Sequence, residues 1–461
     1  MTLFEHDPYI LYLCAAVLIL LTTILVKLSI DKYDIHKETG RKILHLVAVM
    51  TCAYVVYHAP SRLELAVIFF ISSIVLFIVA YQNVLLPSPR KSYGIALFPL
   101  SFALLLILPF TTQNIIFGII TLGISDALAG ISGEYFAKKK HLFLYEAKSW
   151  LGFAAFYFST LGIGYFFISF TPLLFILALI PALSELFSYR GSDNLTIPLV
   201  ATLWISIISD TTNTSQSWIS FLCMLLIMGV VYHKKWLSMA GTTAAVLLGS
   251  MIIFSVGHLY LIPISIFFIV GSLTSKLHPK SKDASGRNAI QVFANGLVAV
   301  LCMIAYAMTK NDVYILVSFA SVAVSFSDTI SSDIGVYFKH KTYDITTMRP
   351  IKVGLSGGIS LVGTLAGLVG SLIFAFLVGY IFNLEYKESI IIAIAGTLGM
   401  FLDSILGSLW QAKYKQNDDI TEEKTFNNIL IKGYSWLNND GVNLLANVIV
   451  VGFIIWATMW S

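Results

Sequence analysis

The sequence predicts an all-α fold, a polytopic transmembrane helical bundle of about 15–16 helices in two fused domains. Of the 461 residues, 57% are hydrophobic and only 12% are charged, whereas a soluble domain is about half apolar and a quarter charged. The mean hydropathy is +0.83. The apolar residues also come in long runs that short basic loops separate. Composition and pattern together exclude a soluble globular protein.

Sixteen apolar runs give the predicted helices in chain order. Several are shorter than the ~20 residues that cross a bilayer core, which indicates tilted or re-entrant segments. The first run follows Glu5 and Asp7 without a basic region or cleavage site, so we expect a spanning helix and not a signal peptide. The runs lie near 9–30, 43–58, 65–86, 93–109, 112–131, 150–169, 171–189, 196–209, 217–232, 240–256, 259–275, 289–308, 312–328, 355–382, 388–410 and 441–460.

The basic loops alternate with short, nearly uncharged connections, and this predicts the orientation. By the positive-inside rule the basic loops face the cytoplasm and the N-terminus is external. We expect an integral protein of a bacterial inner membrane with its sites facing the cytoplasm. The net charge of +4 is small and spread over these loops, so no nucleic-acid partner is indicated. The loops lie near 32–42, 90–91, 138–148, 190, 234–235, 276–287, 339–352 and 413–432.

The loop at residues 233–236 is the predicted domain boundary, because it separates two sets of polar motifs. It gives a first domain at 1–232 and a second at 237–461. The four cysteines lie inside apolar runs and form no C-x-x-C pair, so neither disulfides nor a zinc site is indicated. They are Cys14, Cys52, Cys223 and Cys302.

A polar motif occurs once in each half. Ser125-Asp126-Ala127-Leu128-Ala129 in the first half is echoed by Ser327-Asp328-Thr329-Ile330-Ser331 in the second, each near the end of an apolar run. A carboxylate inside a membrane is costly and indicates a functional site. Asp193 in the first half and Asp333 and Asp403 in the second extend the pattern. We predict these five aspartates as metal ligands.

Carboxylates next to cations at one membrane surface favour phosphate chemistry. Lys138–Lys140 and Lys148 follow Asp126. Mg²⁺ takes one or two carboxylates together with phosphate oxygens, and basic groups neutralise a transferring phosphoryl group. The chain contains no G-x-x-x-x-G-K-[ST] motif, so a P-loop is excluded. The glycine-rich stretch Gly354–Gly358 after Lys352 is a candidate for presenting backbone N–H groups to phosphate.

The first half resembles the CTP-dependent polyprenol kinases, a family that includes dolichol and phytol kinases and is related to phosphatidate cytidylyltransferases. The resemblance implies that Asp126 and the Asp193-Asn194 segment line a nucleotide–metal site with Lys148-Ser149 nearby. Ser125 replaces the usual Gly, and Leu151 stands where a Glu often follows. The segments that carry it are Arg41-Lys42-Ile43-Leu44-His45, Ser125–Gly130 with Gly133, Lys148-Ser149, and Glu185 with Asp193–Pro198.

The second half resembles phytyl-phosphate kinase and its bacterial relatives, almost continuously from Leu237 to Asn447. The resemblance implies transfer of a second phosphate to an isoprenyl monophosphate. Its predicted catalytic residues are Asp328, Asp333, Lys352 and Asp403. The predicted ligand-binding residues of the two halves are Arg41, Lys42, His45, Ser149, Asn194, Arg287, Gly357, Gly358, Asn439 and Asn443.

The two resemblances together imply a bifunctional salvage kinase that uses Mg²⁺ and CTP or another nucleotide. It converts an isoprenoid alcohol of the phytol, geranylgeraniol or farnesol type to the monophosphate and then to the diphosphate. Two other classes stay open. A CTP:lipid-phosphate cytidylyltransferase shares the motifs of the first half, and a secondary transporter also has internal repeats and intramembrane carboxylates.

Overall fold

A computed structural model describes residues 8–33, 37–81, 93–143, 146–189, 191–209, 215–277, 286–339, 341–416, 419–425 and 428–459. Ten helices in this part of the chain are long and apolar enough to cross a membrane, and six shorter apolar helices accompany them. The predicted polytopic helical fold is therefore confirmed. The chain divides into two compact units, Met1–Thr214 and Ser215–Ser461.

The first unit contains nine helices and one short hairpin in its described residues. The hairpin pairs His141 with Lys148 in antiparallel register. The elements are α1 (Pro8–Tyr33), α2 (Lys37–His58), α3 (Arg62–Tyr81), α4 (Gly94–Ile107), α5 (Thr112–Ile120), α6 (Ala127–Ile131), β1 (His141–Leu142), β2 (Ala147–Lys148), α7 (Trp150–Phe167), α8 (Leu173–Glu185) and α9 (Asp193–Ser209).

Two π-helical turns make α5 and α6 parts of one long apolar segment. Residues Thr121–Asp126 and Ser132–Phe136 are π-helical, and the segment runs from Thr112 to Phe136. The sequence pattern placed Asp126 near the end of an apolar run, but the helix continues for ten residues beyond it. π-helical turns are rare and often occur at functional sites.

The core of the first unit lies among α2, α3, α4, the α5–α6 segment and α7. Phe102, Ile115, Leu122 and Phe156 are fully enclosed there. Helix α7 begins after Ser149, whose hydroxyl oxygen caps the helix by accepting a hydrogen bond from Gly152 N at 3.0 Å.

The second unit contains eight helices and two small antiparallel sheets in its described residues. The sheets have the strand orders β4-β3-β5 and β7-β6-β8. The elements are α10 (Ser215–His233), α11 (Met239–Ser255), α12 (Leu261–Thr274), α13 (Ala289–Thr309), α14 (Val313–Tyr337), β3 (Thr342–Asp344), β4 (Pro350–Ile351), β5 (Gly358–Ile359), α15 (Leu361–Ile381), α16 (Tyr386–Leu409), β6 (Lys413–Gln416), β7 (Asp419–Thr421), β8 (Ile429–Lys432) and α17 (Asn439–Thr458).

The structural boundary falls one helix earlier than the predicted loop at residues 233–236. Helix α10 belongs to the second unit, because its aromatic side chains pack on α11. The ring centroids of Trp218 and Phe221 lie 5.4 and 5.7 Å from that of Phe254. The contacts of an apolar helix decide to which unit it belongs. The sequence of the loop at residues 233–236 does not show which helix α10 packs against.

Helix α14 is the central helix of the second unit, and 72% of its most apolar window is buried. Glycines of α15 let that helix approach it closely. Cβ atoms added at Gly363, Gly367 and Gly370 would meet the backbone or side chains of α14 at 2.7–3.1 Å. Small residues at a helix interface allow such a close approach of two helices in a membrane. The two sheets occupy the connections that follow α14 and α16.

Candidate functional site

Two carboxylates of the second unit come from helices that run in the same direction. Helices α14 and α16 pack closely where Gly399 lies against Val324. One turn further along each helix are Asp328 and Asp403, which lie within electrostatic range of each other. Asp403 is only 6% exposed. Like charges this close inside a bundle repel each other.

An amide from a third helix completes this group. The Asn443 side-chain amide, oriented to satisfy both neighbours, donates to Asp403 Oδ2 at 2.8 Å and to the Asn439 carbonyl oxygen at 3.2 Å. Asn438 starts α17 by accepting from Gly441 N at 3.0 Å. Of the two predicted asparagines, Asn443 therefore contacts a carboxylate through its side chain, and Asn439 supports it through its backbone.

Buried polar side chains fix α17 against α14. Ser321 Oγ donates to Asn447 Oδ1 at 2.7 Å, and Asn447 Nδ2 donates to Ser325 Oγ at 3.0 Å. Asn447 Nδ2 also donates to the Asn443 carbonyl oxygen at 2.9 Å. This network holds the backbone of Asn443 in place beside Asp403.

Asp333 occupies the next part of the same surface, where α12 ends. Its Oδ2 accepts hydrogen bonds from Thr274 Oγ1 at 2.7 Å and Ser275 Oγ at 3.0 Å. Arg287 donates to Ser275 Oγ at 3.2 Å. Its guanidinium lies close to Gly271 because that glycine has no side chain. Asp333 also lies within electrostatic range of Asp328. We call Asp328, Asp333, Asp403, Asn443 and Arg287 the second-unit site.

The loop after α14 brings further polar groups that sequence reasoning missed. Ser356 Oγ donates to Gln411 Oε1 at 2.6 Å, and Lys413 Nζ donates to the Ser356 carbonyl oxygen at 2.7 Å. Burial lowers the pKa of Lys413, and Lys432 lowers it further, against the opposing charges of Glu422 and Asp344. Glu422 also lies within electrostatic range of Asp403, so this loop cluster borders the second-unit site.

Three predicted site residues, Lys352, Gly357 and Gly358, lie between α14 and α15 in different environments. Gly357 has a φ of +81°, and a side chain there would collide with Ser408 at 2.5 Å. Gly358 lies in β5 and pairs with Asp344. Lys352 forms a 3.1 Å ion pair with Asp419, and the two side chains are 60% and 75% exposed. The glycines are thus required by the loop's own packing, and Lys352 lies on its outer surface.

In the first unit, the partly buried Lys148 lies close to the predicted carboxylates. Lys148 Nζ donates to Glu185 Oε1 at 2.5 Å and to Ser188 Oγ at 2.7 Å. Burial alone lowers the pKa of Lys148, but the charges of Glu185, Asp193 and Asp126 raise it above its usual value. The ammonium therefore stays protonated. We call Lys148, Glu185, Asp126 and Asp193 the first-unit site.

The asparagine that follows Asp193 is also enclosed. Asp193 Oδ1 accepts a hydrogen bond from Asn194 N at 2.9 Å. The Asn194 amide lies against Gly94, at 2.5 Å from a Cβ built there. Its buried Oδ1 finds no hydrogen-bond partner in the described part of the chain.

The remaining predicted residues of the first unit lie nearby on α2 and at the start of α7. Lys42 Nζ forms a 3.1 Å ion pair with Glu134 and passes over Gly130. The His45 ring packs at 5.8 Å from the Phe98 ring. Ser149 is the cap of α7 described above, and the side chain of Arg41 lies outside the described residues.

A metal site of protein ligands alone is not formed in the described ranges. They contain no group of three or more His, Cys, Asp or Glu side chains placed to hold an ion. The two carboxylates Asp328 and Asp403 match the one or two protein carboxylates that Mg²⁺ takes when phosphate oxygens and water complete its shell.

The chain is similar to several known membrane or chloroplast proteins. An uncharacterized membrane protein of Methanocaldococcus jannaschii is 28% identical over 52% of this chain and 94% of its own length. The chloroplastic protein VTE6 of Arabidopsis thaliana is 26% identical over 53% of this chain and 72% of its own. An uncharacterized membrane protein of Synechocystis is 28% identical over 41% of this chain and 78% of its own.

No solved structure matches the chain. The family match covers residues 222–451, which include every residue of the second-unit site and the whole of α14, α15 and α16. This match is to the model of the integral membrane protein family DUF92.

Proposed function

We propose that this protein is a membrane-bound isoprenoid salvage kinase with two phosphotransfer sites. The first-unit site would phosphorylate an isoprenoid alcohol, and the second-unit site would phosphorylate the resulting monophosphate to the diphosphate. The observation that carries the proposal is the pair of neighbouring carboxylates, Asp328 and Asp403, with the amide of Asn443 on Asp403. The motif resemblance to phytyl-phosphate kinases supports this chemistry for the second unit.

The residues of the second-unit site have complementary tasks in this proposal. Asp328 and Asp403 would hold Mg²⁺, and Asn443 would orient Asp403. Arg287, fixed beside Asp333 by Ser275, would neutralise charge on the phosphate of the prenyl monophosphate. Phosphoryl transfer depends mainly on positioning and charge stabilisation. When bound, Mg²⁺ would screen the negative charge that nucleotide and acceptor phosphates bring together.

In the first-unit site, Lys148 would contact the donor nucleotide. Its ammonium is protonated and partly neutralised by Glu185. A phosphate group that arrives there therefore meets a fixed positive charge. Asn194, which follows Asp193 directly, would contribute to nucleotide binding. Asp126 and Asp193 would hold Mg²⁺.

The test uses purified full-length protein with Mg²⁺ and CTP labelled at the γ-phosphate. We expect label in both prenyl monophosphate and prenyl diphosphate when geranylgeraniol is supplied. Asp328→Asn should lower the conversion of supplied geranylgeranyl monophosphate about a hundredfold or more and leave alcohol phosphorylation intact. Asp126→Asn should have the reverse effect. Asp312→Asn, an exposed aspartate at the other end of α14, is the matched control.

Each outcome has a defined meaning. If one substitution removes both activities in folded protein, the two sites are not independent. If wild-type protein instead transfers CMP from CTP labelled at the α-phosphate, it is a cytidylyltransferase. If no alcohol and no nucleotide gives any labelled lipid, the kinase proposal is wrong.

A secondary transporter is the second candidate, because the carboxylates lie inside helices. Asp328 stands nine residues before the end of α14, about 14 Å along the helix axis. Transporter sites lie near the middle of the bilayer. Proteoliposomes separate the candidates: a transporter moves a labelled solute without consuming nucleotide, and a kinase forms labelled lipid in detergent with no compartment.

A further inference from the structure

Ser356, in the loop between α14 and α15, is bonded at each of its three polar groups by a different residue that follows α16. Its N–H donates to Glu422 Oε1 at 2.5 Å, its hydroxyl donates to Gln411 Oε1 at 2.6 Å, and its carbonyl oxygen accepts from Lys413 Nζ at 2.7 Å. We call Ser356 and these three partners the Ser356 cluster. The segment after α16 therefore holds this loop residue from three sides.

Two of the partners are buried although their side chains are polar. Gln411 is 1% exposed and Lys413 is 6% exposed, whereas Lys415, two residues further along β6, is exposed. Glu422 and Asp344 lie within electrostatic range of the Lys413 ammonium. Burying paired charges is costly, and apolar residues of similar volume are often as stable or more stable. Stability alone therefore does not explain why this cation is buried.

The Ser356 cluster lies against α16 one helical turn beyond Asp403. A Cβ added at Gly407 would meet Ser356 Oγ at 2.5 Å and Gly357 N at 3.2 Å. Gly407 follows Asp403 by four residues, so the two residues share a face of α16 and lie about 6 Å apart along its axis. Glu422 is within electrostatic range of Asp403. The cluster therefore contacts the part of α16 that carries this carboxylate.

A separate set of contacts attaches the same loop to the next residue of α16. Ser408 Oγ donates to Asp344 Oδ2 at 2.8 Å and is 2.8 Å from Thr346 Oγ1. These bonds involve none of the partners of Ser356. We therefore expect the loop to stay folded on α16 when a partner of Ser356 is replaced.

We propose that the three partners of Ser356 are positioning residues of the second-unit site. Through Ser356 and its contact with Gly407, they fix the turn of α16 that carries Asp403, and so the placement of Asp403 beside Asp328. This inference rests on the proposed kinase function of the second unit. None of the three partners has to touch the reacting phosphate in this role.

Lys413→Met tests the proposal, because it removes the ammonium and retains a long side chain. We expect kcat on geranylgeranyl monophosphate to fall by about one to two orders of magnitude, since a small displacement of a catalytic group is enough for such a loss. The KM for the monophosphate should stay within about twofold of the wild type. Lys413→Arg, which keeps a donor for the Ser356 carbonyl oxygen, should recover part of kcat. Lys415→Met, on the same strand, is the matched control.

Glu422→Ala provides a second variant in case Lys413→Met does not fold. Glu422 is only partly buried, so its replacement is milder for the fold, and it removes the acceptor of the Ser356 N–H. We expect the same fall in kcat, of about tenfold or more. Glu423→Ala, at the exposed neighbouring position, is its control. Melting temperatures in detergent show which variants are folded.

Two measurements do not depend on catalysis. Amide hydrogen exchange at residues 353–358 should be faster in Lys413→Met than in wild type or Lys415→Met, because the loop loses a contact. Mn²⁺, followed by electron paramagnetic resonance, should bind more weakly to Lys413→Met if Asp403 is displaced.

The outcomes separate this proposal from the kinase proposal. If wild-type protein has no kinase activity, the kinase proposal fails, whereas faster exchange with weaker Mn²⁺ binding still supports the positioning role. Wild-type kcat and Mn²⁺ binding in folded Lys413→Met would overturn the positioning role and leave the kinase proposal standing. A raised KM with unchanged kcat would also overturn it, because Lys413 would then contact the substrate directly.

Discussion

Asp344 connects the loop after α14 to the helix that carries Asp403. It is 5% exposed. It accepts hydrogen bonds from Thr346 N and Thr347 N, both at 3.0 Å, and from Ser408 Oγ at 2.8 Å. Burial alone raises the pKa of Asp344, but the hydrogen bonds from Thr346, Ser408 and Thr347 outweigh it and hold the pKa well below its usual value. Asp344 therefore holds the loop between α14 and α15 against helix α16.

Asp344 makes the stability of the protein depend on pH. Because its pKa is lower in the folded protein than in the unfolded chain, its stabilisation is complete above the unfolded value of 3.8. It is lost as the pH falls below that value. Asp344→Asn should lower the free energy of unfolding by about 1–3 kcal/mol at pH 7. The difference from wild type should shrink below about pH 4.

Melting temperatures in detergent between pH 7 and pH 3 measure this effect. Asp419→Asn is the control, because Asp419 is an exposed partner in a surface ion pair, and such pairs contribute little to stability. If the melting temperatures of Asp344→Asn and wild type differ by the same amount over the whole pH range, the Asp344 carboxylate is not the source of the pH dependence.

Helix packing sets the distance between the two carboxylates of the second-unit site. Helix α15 lies between α14 and α16 in sequence, and its glycines allow close contact with both helices. A Cβ at Gly367 would approach Ser327 O to 3.0 Å and would also collide with the Met400 sulfur. Ser327 and Met400 are neighbours of Asp328 and Asp403 along their helices. The small residue of α15 thus helps to fix the carboxylate pair.

We expect Gly367→Val to separate the helices and lower activity on prenyl monophosphate. Overpacking costs about 1–3 kcal/mol, and a small displacement of catalytic groups can reduce the rate about a hundredfold. Gly452→Val in α17 is the control, since a Cβ there would meet nothing within 4 Å. Melting temperature and phosphorylation of the monophosphate are the measurements. Wild-type values for both in Gly367→Val would show that this close approach is not needed.

Successive helices of a bundle run in opposite directions, so alternate connections, including the basic ones, lie at the same end of a unit. Helices α14 and α16 run in the same direction, and the two sheets follow their ends. The hairpin of β1 and β2 likewise follows the long α5–α6 segment. Cationic loops are retained on the cytoplasmic side of a membrane. We therefore propose that both sites open to the cytoplasm, where CTP is available.

Cysteine labelling tests this orientation. Lys139→Cys and Lys341→Cys should react with a membrane-impermeant maleimide only after the cytoplasmic side becomes accessible. Lys310→Cys, between α13 and α14, should react in intact cells and serves as the control. Labelling of either loop position in intact cells would reverse the orientation of that unit.

The fold class and several site residues could be predicted from the sequence alone. The composition and the apolar runs predicted the helical membrane fold, because a bilayer requires long apolar segments with satisfied backbone groups. The rarity of carboxylates inside such segments singled out Asp126, Asp328 and Asp403. Partners from distant positions required the tertiary structure. The contact of Asn443 with Asp403 and the hydrogen bond of Ser408 to Asp344 depend on which elements pack together. Helix pairing in a membrane depends on close packing of small residues. A hydropathy pattern does not show which residues make those contacts.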